Sequence, residues 1–421
     1  MKRFLLIIVS LVSFQHAFTQ TVLTDVLRAN RKKLYSNIVR YTINTNLKGA
    51  LADSTEEDWQ DAFRAMELIH YRSPWIDNRI RIGINDLQNR SIDFQRAMLE
   101  LIYCMYPTQY SKQVDSLLEQ TSSTKIFAMC AEYLLIADTS DAGRRSLNEK
   151  AFRKQQSATD DPFLKQLEYQ LQPNDDKKTP GAIYKFLEKK YLAGNILLIS
   201  FQRKDRNYPG LAMVRDGNGN FIKDYDGKYF AVPQLARSMT NLPGYLTNGN
   251  TPEGIFRMEG FDNSASSFIG PTANIQLTMP FELRPSHFYR NENLSDSDWS
   301  LNMYKHLLPE NFRNYMPMLQ TYYAGKAGRV EIIAHGTTID PEYYEGKPYY
   351  PLTPTQGCLC TKEIWSETTG TLLESDQQKL SGAITKAGGP HGYAIVININ
   401  DKEEPVTIND ILPFLKLAGQ N

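Results

Sequence analysis

Between about residues 21 and 171, apolar residues recur every three to four positions and Gly and Pro are scarce, a pattern that predicts helices. Three segments in this region resemble one another: Ala65-Met66-Glu67-Leu68-Ile69, Ala97-Met98-Leu99-Glu100-Leu101-Ile102 and Ala128-Met129-Cys130-Ala131-Glu132. Their starts lie 32 and 31 residues apart. That is the period of stacked helical hairpins, in which each unit buries its apolar face only against the next. An irregular helical bundle fits the same pattern. Residues 172–180 are polar, charged and bounded by prolines, which predicts a linker.

A short helix is expected over 183–192, and after Gly194 the pattern changes to short apolar runs separated by Gly, Asn and Pro. Strands are expected over 195–201, 211–215, 255–259, 275–280, 330–334 and 393–399. The fold class is therefore α+β: an all-α, repeat-like domain with its linker over 21–180, then a β-rich domain over 181–421, read as a sandwich or curled sheet. Asp216-Gly217-Asn218-Gly219-Asn220 has the spacing of a calcium loop, but Phe221 and Gly227 stand where that loop needs Gly and Glu. It reads as a hairpin turn. Residues 284–328 carry Trp299, Tyr304, Phe312, Tyr315, Tyr322 and Tyr323 just before the 330–334 strand. Ser295 with Asp298 can cap a helix there, and the insertion reads as a lid over a groove.

The first twenty residues set the compartment. Lys2 and Arg3 precede an apolar run over 4–14, broken only by Ser10 and Ser13, and Ala17-Phe18-Thr19 supplies small residues for cleavage before Gln20. This is the form of a secretory signal peptide. Eleven residues are short of the roughly 20 a membrane-spanning helix needs, so an uncleaved anchor is the weaker reading. The expectation is a periplasmic or exported protein with no stable membrane insertion after cleavage. The chain of 421 residues has 47 basic and 47 acidic residues; without Lys2 and Arg3 of the leader the balance is 45 to 47, or −2. A nucleic-acid partner normally calls for a basic surplus, and none is expected. Four cysteines in this length are no disulfide scaffold. Cys104 and Cys130 sit on apolar helix faces and read as small buried hydrophobes.

The chemistry concentrates late in the chain. His335 ends an apolar strand in Ile332-Ile333-Ala334-His335-Gly336-Thr337, and Thr355-Gln356-Gly357-Cys358-Leu359-Cys360 follows. A cysteine nucleophile needs a base to form its thiolate and donors for the developing oxyanion. A strand end can aim His335, a neighbouring carbonyl can fix its tautomer, and Gly357 permits close backbone approach. Cys358 as an inert thiol, and zinc held by Cys358, Cys360, His335 and His391, are the rivals; no metal or other cofactor is expected. Cys360 reads as buried. Tyr343-Tyr344 and Tyr349-Tyr350 either wall a groove or pack a loop.

Over about 195–400 the sequence resembles the L,D-transpeptidase catalytic (YkuD-type) domain family. That family has a His-Gly-Thr/Ser element and a Ser/Thr-His-Gly-Cys element, matched in order by His335-Gly336-Thr337 and Thr355-Gln356-Gly357-Cys358. Its upstream Thr-Pro-x-Gly-x-Phe segment is met in full by Thr251-Pro252-Glu253-Gly254-Ile255-Phe256. Two positions depart: Gln356 replaces the usual His, and Cys360 stands where Arg or Asn is usual. The resemblance implies a cysteine acyltransferase of peptidoglycan stem peptides. Cys358 would be nucleophile and His335 base then acid, with the Gly336 carbonyl or Thr337 orienting the ring. The amides of Gly357 and Cys358, with Gln356, would form the oxyanion site beside Thr355. The thioester would pass to an amine, giving a 3–3 cross-link, or to water, as in an L,D-carboxypeptidase. A non-catalytic stem-peptide binding module is the alternative, and a third reading has the helical half docking a protein partner.

Overall fold

The structure is a computed structural model describing residues 22–172, 181–264, 266, 268–294 and 298–420. The leader read over 1–20, most of the linker and Ser295 lie outside the described residues.

The N-terminal half is a stack of helical hairpins. Helices Glu56–Ile69 and Pro74–Asn85, Ile92–Met105 and Ser111–Gln120, and Thr124–Ala137 and Asp141–Ser157 form three pairs, followed by Pro162–Leu171. Ser73, Ser91, Ser123 and Ser140 each accept a backbone N–H of the first turn that follows, which is why these helices start where they do. The first helix of each pair packs on the first helix of the next, making one inner layer. Their apolar faces form one core with Trp59, Phe63, Met98, Phe127 and Leu167. The three similar segments fall on these inner helices, as stacked repeats require.

Among its described residues the second half contains ten strands: β1 Ile196–Arg203, β2 Gly210–Arg215, β3 Val232–Leu235, β4 Gly254–Asp262, β5 Asn274–Thr278, β6 Ile332–Gly336, β7 Leu359–Thr361, β8 Glu363–Trp365, β9 Leu372–Ser375 and β10 Gly392–Asn400. Eight close into a barrel in the order β1-β10-β4-β5-β6-β7-β3-β2, and β8 and β9 pair separately. This corrects the expected sandwich or curled sheet. The six expected strands are present, but β3 and β7 close the ring, and at four and three residues they leave almost no periodicity to read. The expected helix over 183–192 is reduced to a 3-10 turn, Ile183–Phe186. Residues 216–220 make the expected turn: Asp216 N–H donates to Asn220 O, and its carboxylate accepts from Asn220 N.

All eight barrel strands send apolar side chains inward, among them Leu198, Val214, Val232, Phe256, Leu277, Ala334, Leu359 and Val396. Helix Asp376–Lys386 adds Leu380, Ala383 and Ile384 to this core, and Gln377 Nε2 ties it to Ala273 O and Ala334 O. The outer faces of β1, β2, β4 and β10 form a second core under residues 284–328. The aromatics expected to form a lid belong to that core: Trp299, Tyr304, Phe312, Tyr322 and Tyr323 are buried, with Tyr304 Oη accepting from Ile255 N. The segment is a helical insertion, as expected, but it is a packed layer on the barrel wall and not a loose cover. Its central helix, Leu301–Leu307, is capped by Ser300.

The halves interlock. Leu242, Tyr245 and Leu246, from the loop between β3 and β4, are buried in the helical core. Tyr245 Oη donates to Glu132 Oε1 at 2.6 Å and Asn248 Nδ2 to Glu100 Oε2 at 3.1 Å, while Tyr344 Oη donates to Leu68 O at 2.8 Å. The similar segments thus share more than apolar residues. Glu67, Glu100 and Glu132 are all buried on the inner layer, and two of them hold this loop.

Candidate active site

β6 and β7 run parallel, with Ala334 opposite Leu359, His335 opposite Cys360 and Gly336 opposite Thr361. Ala334 and Leu359 point into the barrel. Side chains alternate along a strand, so His335 and Cys360 share the outer face, while Cys358 lies just before β7. Cys358 is half-buried, and Cys360 is fully buried against Leu235, Tyr344, Tyr349 and Leu352. The tyrosines Tyr344 and Tyr349 therefore pack the loop.

His335 is held in one tautomer. Its Nδ1 lies 2.6 Å from Gly336 O, a pure acceptor, so Nδ1 carries the proton and Nε2 the lone pair. Burial pushes the imidazole down to about 4, so the ring is neutral above that pH. Gly336 leaves no room for a side chain, since a Cβ there would lie 2.0 Å from Glu363 Oε2. Thr337 Oγ1 donates to Glu363 O at 2.6 Å and accepts from Glu363 N at 3.0 Å, pinning the strand end to β8.

The Cys358 loop is held from three sides. Thr355 Oγ1 accepts from Gly357 N at 3.0 Å and donates to Cys358 O at 2.9 Å. Thr251 Oγ1 donates to Gly357 O at 2.9 Å. Arg329 lies behind the loop, buried, with Nη1 donating to the carbonyls of Gly244, Leu246 and Asn250 and Nη2 to that of Gly249 at 2.7 Å. Gln356 is exposed. The Gly357 amide, expected to serve the oxyanion, is thus committed to Thr355. That leaves the Cys358 amide and the Gln356 side chain as candidate donors at this loop.

Cys358 Sγ sits 3.4 Å from Ile333 N and 3.7 Å from Glu331 O. Among the described residues no hydrogen bond joins it to His335. Burial pushes the thiol above its usual range, against the Ile333 amide and the Arg329 charge, which draw it down. The resting pair is a neutral thiol and a neutral imidazole. Such a pair can react only if the base takes the proton as the sulfur attacks, and catalytic contacts commonly tighten once substrate is bound.

Arg329 and Thr251 escaped the sequence reading as site residues. Thr251 lay inside a matched motif without an assigned role, and a charged residue before an apolar strand carries no signal of its own. No three His, Cys, Asp or Glu side chains converge as metal ligands among the described residues, so the zinc rival on Cys358, Cys360, His335 and His391 is not assembled. No helix among them is long and apolar enough to cross a membrane. Compared with family models, curated proteins and solved structures, the chain matches none.

Proposed function

We propose that the chain is an exported cysteine acyltransferase of L,D-transpeptidase type, acting on peptidoglycan stem peptides. The observation that supports it most is the pairing of β6 and β7, in which a tautomer-fixed, neutral His335 sits on the strand beside the one that Cys358 immediately precedes. His335 Nε2 takes the thiol proton as Sγ attacks the carbonyl before a terminal D-residue. The Cys358 amide and the Gln356 amide group steady the oxyanion. The C–N bond then breaks, the leaving amine receives the proton from Nε2, and a thioester remains. An amine of a second stem, deprotonated by Nε2, displaces Cys358 to give a 3–3 cross-link; water in its place gives a shortened stem. Arg329 positions the loop and biases the thiol toward thiolate without touching substrate.

The test is mass spectrometry of the protein incubated with a tetrapeptide-stem muropeptide. A covalent adduct equal to the stem less its terminal residue, absent in Cys358→Ala, is the expected result. One observation favours a second reading, a stem-peptide binding module without turnover: the Gly357 amide is already satisfied. Saturable muropeptide binding with no adduct and no released amino acid would establish it.

A further inference from the structure

β5 and β6 pair antiparallel, with Leu277 opposite Ile332, so the segment leaving β5 lies beside the one entering β6. Each segment holds a residue other than glycine in the left-handed conformation, Phe281 at φ +73° and Glu331 at φ +63°. Residues with a Cβ rarely adopt it, and it persists where the surroundings hold it in place. The holding group is Glu282. Its Oε1 accepts from Met279 N at 2.6 Å and its Oε2 from Glu331 N at 3.2 Å, so one carboxylate ties the two segments together.

The turn at Glu331 stands between two groups that act on Cys358. Two residues before it, Arg329 lies buried behind the Cys358 loop, with Nη2 donating to Gly249 O. Two residues after it, Ile333 N lies 3.4 Å from Sγ. Burial pushes the thiol up, the Ile333 amide and the Arg329 charge draw it down, and the Glu331 carboxylate pushes it up. The backbone has only two soft dihedrals per residue, so a change of φ at Glu331 swings Arg329 relative to β6. Both favourable groups therefore bear on the sulfur together only while this turn is kept.

We propose that Glu282 is a positioning residue for the Cys358 thiol: by fixing the left-handed turn at Glu331 it aligns Arg329 and the Ile333 amide on the sulfur. It acts through Glu331 and needs no contact with substrate. As a part of catalysis this role rests on the acyltransferase reading, but the state of the thiol does not.

The experiment measures the pH midpoint for alkylation of Cys358 by iodoacetamide in the full chain, read by peptide mass spectrometry. Failure to form any muropeptide adduct would sink the acyltransferase reading and leave this result standing. Glu282→Gln cannot accept from both amides, because one end of its side chain only donates, and Glu282→Asp keeps the charge but not the reach. Each should raise the midpoint by at least about half a pH unit, with an unchanged circular-dichroism spectrum. Should Glu282→Gln not fold, Glu282→Asp carries the test alone. In a Glu331→Gly background, where the left-handed turn is unstrained, the shift should shrink. A midpoint unmoved in both variants would overturn the proposal. So would a fall in Glu282→Gln with no change in Glu282→Asp, the mark of charge alone, or an equal shift in the Glu331→Gly background.

Discussion

Arg329 and Gly357 leave each other no spare room: a Cβ on Gly357 would stand 1.9 Å from Arg329 Nη2 and 2.6 Å from Gly249 O. Gly357 also has φ +114°, a conformation that side-chain-bearing residues rarely adopt. The buried cation, the loop it organises and the residue before Cys358 are thus one unit. Gly357→Ala is expected to lower stability by about 1–3 kcal/mol from backbone strain alone, and to abolish acylation with Cys358 still present. Thermal unfolding and adduct mass spectrometry on the same preparation check both.

Arg329 satisfies four carbonyls of the loop between β3 and β4. Arg329→Met removes the side-chain donor from those carbonyls, of which Leu246 O still accepts from Gly249 N, and buried acceptors left unpaired typically cost about 1–3 kcal/mol. Hydrogen exchange should quicken over residues 242–251 more than in the barrel strands. Uniform exchange behaviour would show that the cation does not organise this loop.

Three of the four thiols should separate by accessibility; Cys104, expected to be buried, is half-buried like Cys358. Cys358 is half-buried, whereas Cys360 and Cys130 are buried, with burial pushing the Cys360 thiol up to about 12. Iodoacetamide is expected to modify Cys358 in the native state and to reach Cys360 and Cys130 only on unfolding. Cys358→Ala should remove covalent acylation. Cys360→Ala should keep it, at a cost of about 1–2 kcal/mol in stability. Peptide mapping that found Cys360 alkylated first would reverse the assignment.

Burial holds His335 at about 4 against an ordinary value near 6.5. Between those values the unfolded chain binds a proton that the folded chain refuses. The stability this site contributes is therefore whole above about pH 6.5 and drains away as pH falls toward 4, at up to about 1.4 kcal/mol per pH unit. Urea denaturation at pH 7 and 4.5 should show a smaller pH loss in His335→Gln than in the unaltered chain. That comparison cancels the buried carboxyls Glu100 and Glu253, whose raised values act in the opposite sense. An equal loss in both proteins would mean that His335 titrates normally.

Tyr245 donates to Glu132 inside the contact between the halves. Tyr245→Phe removes a hydrogen bond to a buried carboxylate and should cost about 1–3 kcal/mol. Loss of a single cooperative unfolding transition in this variant would show that the loop couples the halves. An unchanged midpoint would show that it does not.

The helical repeats, six of the barrel strands and the His335 and Cys358 elements are legible in the sequence because they rest on local rules. Helical spacing, serine caps and apolar runs belong to contiguous residues, and a chemical motif is a string. The closing of the barrel is not legible, since β3 and β7 are too short for a period and gain their meaning only from their neighbours. Residues 284–328 misled for a related reason: a run of aromatics reads alike whether it covers a groove or a wall, and only the outer faces of β1, β2, β4 and β10 decide which. Arg329 and Arg206 show the limit most clearly. Each is an ordinary charged letter beside an apolar strand. What separates them is long-range packing: four carbonyls of a distant loop surround one, while the other is buried with its Nη1 unpaired. A sequence carries the charge of a side chain, but desolvation and partnership arise only when segments far apart in the chain are brought together.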